Sequence, residues 1–191
     1  MDPVDRPPAL VRWTRRLEDA EALDGPVAAL RPTIREAFGR GTRGAVLRGD
    51  WLGHALHPLL TDVTIGSWTS ATLLDVFGGP GSSAAAQRLV GAGLLTFGPT
   101  AWSGWAEWSE AGPRDQRVGV VHAVTNGTAV GFYAASWFAR RRGNHGAGAG
   151  LALAGAGVVG VAAYLGGHLA AARKVGSHHP AYDDQTAVAT T

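Results

Sequence analysis

Four long apolar segments, joined by short polar links, leave this 191-residue chain few folds to choose from. They run over residues 59–77, 89–106, 118–139 and 148–172. A bilayer core about 30 Å thick takes roughly 20 residues of helix, and each segment is close to that length. The links, residues 78–88, 107–117 and 140–147, suit antiparallel neighbours, so the expected fold is all-α: an up-down-up-down four-helix transmembrane bundle. A soluble bundle would show a polar outer face on every helix, whereas the fourth segment is apolar all round.

Composition narrows the function classes. There are 28 glycines, in keeping with membrane helices, and no cysteine, which excludes disulfides, thiolate zinc sites and cysteine-held iron–sulfur clusters within this chain. Net charge is only +2, and no basic-aromatic motif points to nucleic acid. No nucleophile–histidine–acid set, phosphate loop or Rossmann turn is present, which leaves the question of an enzyme open. The first fifty residues carry many charges and no long apolar core, unlike a signal peptide. Residues 10–23 and 27–38 instead repeat apolar positions at helical spacing, broken at Gly25-Pro26 and Pro32, and read as amphipathic helices that dock on or cap the bundle. The expected organisation is therefore an N-terminal segment over residues 1–50, the bundle over 51–175, and a disordered tail over 176–191.

Each segment carries a polar line at helical spacing: His54, His57, Thr61, Thr64, Trp68, Thr72 and Asp75; then Thr96, Thr100, Ser103 and Glu107; then His122, Asn126, Tyr133 and Ser136; then Gly150, Gly157, Tyr164 and His168. Lipid cannot satisfy such groups, so the lines should turn inward. By depth, His57, Glu107, His122 and His168 all fall at one end of the bundle. Pro58 disfavours helix at His57 and fits a first helical turn, which places His54 in the entry loop. An internal repeat is also visible. Gly93, Gly98 and Gly104 share their spacing with Gly155, Gly160 and Gly166, and His57, Gly66 and Trp68 share theirs with His122, Gly131 and Tyr133. Two pseudo-equivalent hairpins would explain both, with His57 opposite His122. Gly127-x-x-x-Gly131 reads as a helix-packing motif.

Trp102, Trp105, Trp108 and Trp51 fit an interfacial aromatic belt. Arg140, Arg141 and Arg142 favour one end as cytoplasmic. Arg43, Arg48, Arg114, Arg117, Arg173 and Lys174 outnumber them at the other, which puts both termini in the cytoplasm of a bacterial inner membrane.

The run from Gly53-His54-Ala55-Leu56-His57-Pro58 to Leu59-Leu60-Thr61-Asp62, followed by Gly66-Ser67-Trp68, resembles an uncharacterised bacterial four-span membrane family. Its members share a Gly-His-x-x-His-Pro opening and a late Tyr-Leu-Gly-Gly-His, here Tyr164 to His168. The resemblance covers residues 48–174. Because the module is sometimes fused to a Rieske iron–sulfur domain, the resemblance implies redox work and a Rieske-type partner. The histidines leave three readings open. The first is a b-type haem held by His54, His57, His122 and His168, with electron transfer as the function. The second is zinc, iron or copper bound or transported by His57, His122 and His168 with Asp62 or Glu107. The third is a structural membrane subunit whose histidines hydrogen-bond between helices. The partners expected are the lipid bilayer, a redox protein and, in one arrangement, a second copy of the chain.

Overall fold

A computed structural model describes residues 6–177. Among these residues there is no strand, and the chain forms seven α-helices: α1 (Ala9–Glu18), α2 (Asp24–Ile34), α3 (Gly41–Arg48), α4 (Leu56–Phe77), α5 (Ser83–Glu110), α6 (Pro113–Arg141) and α7 (His145–Gly167). A π-turn, His168–Ala172, prolongs α7. The expected tail, with His178 and His179, lies outside the described residues beyond 177.

The four apolar segments are α4–α7, each extended past its apolar stretch until turn chemistry ends it. Pro113 opens α6 directly after Gly112, at a position where a missing N–H costs nothing. Gly143, with φ +80, turns the chain, and Asn144 then caps α7 by accepting the Ala147 N–H at 3.1 Å. The connections shrink to residues 78–82, 111–112 and 142–144, so consecutive helices are antiparallel. α4 packs most extensively on α5, and α6 on α7. The two hairpins then meet through α5 on α6 and α4 on α7.

The hairpins are copies of one plan. Trp68 and Tyr133 are 65 positions apart (133 − 68), and they stack face to face at the bundle centre with ring centroids 4.1 Å apart and planes 10° from parallel. Trp68 lies on Gly93 and Tyr133 on Gly155, 62 positions apart (155 − 93). Asp75 and Arg140, again 65 apart (140 − 75), form a two-pronged ion pair at 2.9 and 2.5 Å, with side chains 10% and 1% exposed. Ser136 supports the guanidinium at 3.2 Å and donates to the Gly148 carbonyl at 2.6 Å.

Around this polar centre the outer surface is apolar. Thr64, Thr100, Ser103, Ser136 and Arg140 are buried, while Leu59, Val63, Leu73, Phe77, Leu95, Val124, Phe138, Leu153 and Val161 are exposed. Water would favour the reverse arrangement, and a bilayer favours this one. Among the described residues, one helix is both long and apolar enough to cross a membrane: α7 with its π-turn, His145–Ala172, at mean hydropathy 1.8. Only 28% of its apolar window is buried, unlike the central helix of a soluble protein. The sequence reading expected four such helices. α4, α5 and α6 have the length, 22, 28 and 29 residues, but their inward polar residues and charged ends lower the average.

The N-terminal helices sit against the end of the bundle where α4 and α6 begin. Gly25-Pro26 does not break the chain as expected. Pro26 falls in the first turn of α2, where proline is tolerated. Helix α3 carries no apolar periodicity and was not expected. It ends at Gly49, φ +83. Val27 and Ile34 of α2 pack against Trp108 and Val120. Trp108 is therefore 5% exposed and no part of an outer belt, whereas Trp51 and Trp102 do face outward. Its indole donates to the Gln116 carbonyl at 2.9 Å and the Gln116 amide donates back to the Trp108 carbonyl at 3.1 Å, clasping the α5–α6 turn.

Removing one partner of the Asp75–Arg140 ion pair strands a buried charge. Arg140→Ala is expected to cost about 3–5 kcal/mol, and the paired Asp75→Asn, Arg140→Gln change clearly less. Thermal unfolding in detergent, with coupling read from the double-mutant cycle, checks this.

Candidate histidine site

The first histidine is presented by its local backbone. Gly53 takes φ +79, a conformation that favours glycine, and turns the chain into α4. α4 begins at Leu56, so His57 is helical, contrary to the expected effect of Pro58. In the first turn the proline ring meets no preceding helical carbonyl, and its missing N–H has no intrahelical acceptor to lose. His54 stays in the entry loop, exposed, with Nδ1 3.2 Å from the carbonyl of Ala55.

His57 reaches across to α5. Its Nδ1 lies 2.9 Å from the Thr100 carbonyl and 3.2 Å from the Ser103 hydroxyl, which itself donates to the same carbonyl at 2.8 Å. A carbonyl only accepts, so Nδ1 carries the proton and Nε2 the lone pair. The ring lies on Gly104, where a Cβ would come within 2.8 Å of Cε1. His122 repeats the arrangement on the second hairpin. Its Nδ1 is 2.9 Å from the Ala162 carbonyl, and its Cε1 would be 2.9 Å from a Cβ on Gly166. The accepting carbonyls keep the repeat spacing (162 − 100 = 62), as do the glycines (166 − 104 = 62). Asn126, one turn on, sets its amide 3.1 Å from His122 Nε2 and 3.0 Å from the His122 carbonyl.

The remaining expected site residues are elsewhere. His168 turns to the N-terminal segment, with Nε2 2.8 Å from Glu18 Oε1. Beside it Tyr164 packs on Trp13 at 6.1 Å, so these two residues of the fourth polar line face α1. Gly150 and Gly157 of that line are exposed. Asp62 is exposed on the outside of α4. Glu107 is at the right end of the bundle, near the His57 backbone N–H and covered by Gly176, with Oε1 buried and unpartnered. No three of the His, Asp and Glu side chains gather as a metal-holding group among the described residues. Gly127 and Gly131 have nothing of this chain within 4 Å of a notional Cβ, so the expected packing motif packs on no other helix here. The anchoring carbonyls of Thr100 and Ala162 were not read from the sequence. The matched glycine spacings were the available signal.

A sequence comparison bears on these same helices: residues 53–179 match the family described as "Predicted membrane protein (DUF2231)". The chain belongs to this family. The DUF2231 match opens at Gly53, the residue that turns the chain toward His57, and spans α4–α7 with both imidazoles and both supporting glycines. Helices α1–α3 precede the matched region. No curated protein and no solved structure matches the chain.

The N-terminal helices close this end through ion pairs. Arg117 grips Asp24 with two bonds, 2.6 and 2.8 Å, and the Glu18 carbonyl with a third at 2.9 Å. The guanidinium holds the Asp24 carboxyl below the usual carboxylate range. A depressed carboxyl stabilises the docked state above its unfolded pKa and loses that contribution as pH falls through its lower folded value. Proteolysis within residues 19–40 is therefore expected to accelerate below about pH 4, with Asp24→Asn weakening that acid response. At the imidazoles, Gly104→Val and Gly166→Val are each expected to destabilise by about 1–3 kcal/mol through overpacking.

Proposed function

We infer that this DUF2231 chain is a four-span membrane module whose His57 and His122 form a bis-imidazole ligand pair for b-type haem, with one-electron transfer as its function. The observation that carries the reading is the repeated anchoring: each Nδ1–H is tied to a backbone carbonyl of the partner helix, each ring rests on a glycine, and each Nε2 keeps its lone pair. Histidine ligands to a metal are held in this way, by a hydrogen-bond acceptor on the other ring nitrogen. Four spans are supported by the lengths of α4–α7 and by their apolar outer surface.

The donor set favours haem over a bare metal ion. A closed zinc or copper site needs three or four protein ligands, and here only two imidazoles share the repeat geometry. Haem needs only two axial ligands, because the macrocycle supplies four nitrogens. When bound, haem would cycle between ferric and ferrous iron and so carry one electron. The chain's own residues orient the imidazoles, and the docked α1 and α2 exclude water from that end of the bundle. Asn126 would give up its contact with His122 Nε2 and retain its bond to the His122 carbonyl. The reading drops His54 and His168 as ligands, since His54 lies outside the bundle and His168 is engaged by Glu18. A redox partner of Rieske type would suit a one-electron centre.

Protein purified in mild detergent from haem-sufficient cells should show a Soret band that shifts on reduction. His57→Ala and His122→Ala should each abolish it, and His168→Ala should leave it. No chromophore in folded protein overturns the haem reading. Stoichiometric metal without a chromophore favours the metal-site alternative, and neither leaves a structural subunit. Topology is testable separately, because the chain has no cysteine of its own. Single cysteines at Asp50 and Ala111 should label from one side of the membrane, and those at Gly81 and Arg142 from the other.

A further inference from the structure

The end of the bundle opposite the histidines holds a second site. A cavity of about 650 Å³ opens between the first turns of α5 and α7 and the last turn of α6, lined by Ser83, Gln87, Arg140, Arg141 and His145. Residues at this end include four arginines, Arg88, Arg140, Arg141 and Arg142, against a single carboxylate, Asp75. Arg140 is spent on that carboxylate. Arg141 has no carboxylate partner among the described residues, and its guanidinium lies 5.1 Å from the Trp137 ring centroid. His145, half-buried, also lines the cavity, and its Nδ1 is shielded from solvent without a hydrogen-bond partner, an arrangement that costs free energy. Two helix N-termini add backbone positive charge. No side chain caps α5, since the Ser82 hydroxyl is turned to the Leu74 and Gly79 carbonyls.

We propose that this cavity binds a phosphate-type anion, with Arg141 as its counter-charge and the His145 imidazole, the Ser83 hydroxyl and the Gln87 amide lining the place of its oxygens. The chemistry is shared by an anionic lipid headgroup and by free phosphate. It does not depend on the histidine pair, and its failure would leave the haem reading untouched.

Full-length protein in detergent would be titrated with phosphatidylglycerol and phosphatidylcholine under native mass spectrometry, and with inorganic phosphate by calorimetry. Retention of one phosphatidylglycerol roughly tenfold above phosphatidylcholine is expected, as for the loss of one charge-assisted hydrogen bond. Arg141→Gln and His145→Ala should each bring the ratio near unity. Arg15→Gln, on α1 at the other end, should not change it. Inorganic phosphate that binds with the same dependence on Arg141 and His145, and displaces the lipid, identifies a small anion as the ligand. Lipid retention without phosphate binding identifies the headgroup. The proposal is overturned if neither anion binds above the phosphatidylcholine control, or if binding is indifferent to both substitutions while the variants keep the wild-type melting temperature.

Discussion

Everything in this bundle depends on how closely the two helices of each hairpin approach. α5 comes near enough to α4 for Trp68 to lie on Gly93 and His57 on Gly104, and α7 meets α6 the same way through Gly155 and Gly166. At that separation, side chains from one helix reach the main-chain carbonyls of the other: Trp68 finds Val90, His57 finds Thr100 and His122 finds Ala162. In a bilayer, where the hydrophobic effect gives helices no reason to associate, small residues and interhelical hydrogen bonds are the available forces.

Duplication then brings like positions together. Trp68 meets Tyr133, and Asp75 meets Arg140, each pair separated by the same number of residues. The aromatic stack is symmetric in kind and the ion pair is not, because two carboxylates or two guanidiniums facing each other would repel. His57 and His122 occupy the third such pair of positions, and they share the same tautomer because they share the same anchor. The asymmetry lies around them: Asn126 attends His122, Ser103 attends His57, and Glu107 belongs to the first hairpin alone.

The N-terminal helices bind one end of this duplicated unit through charge. Arg117 and His168 hold Asp24 and Glu18, and Trp108 with Val120 receives Val27 and Ile34. His168 illustrates why a histidine in an apolar segment is not by itself a ligand. Its carboxylate partner lies 150 positions away in sequence, on a helix that reads only as an amphipathic segment.

Much of the fold is legible in the sequence. The four long helices, their antiparallel order, the repeat and the near-equivalence of His57 and His122 all follow from local periodicity and spacing, which are properties of a chain read along its length. The Gly127–Gly131 packing motif, the outer tryptophan belt and the inward fourth polar line read plausibly and do not fit this structure as a set, because each depends on which face of a helix meets a neighbour. Helix α3 escaped notice since nothing in its apolar spacing marks it. What the sequence determined alone was therefore the set of elements and their duplication, through turn residues and apolar length. Only the tertiary structure decided which histidines stay in the bundle and which carbonyls orient them, because a ring's partner is chosen by the distance between helices, and that distance is set by glycines acting across the fold.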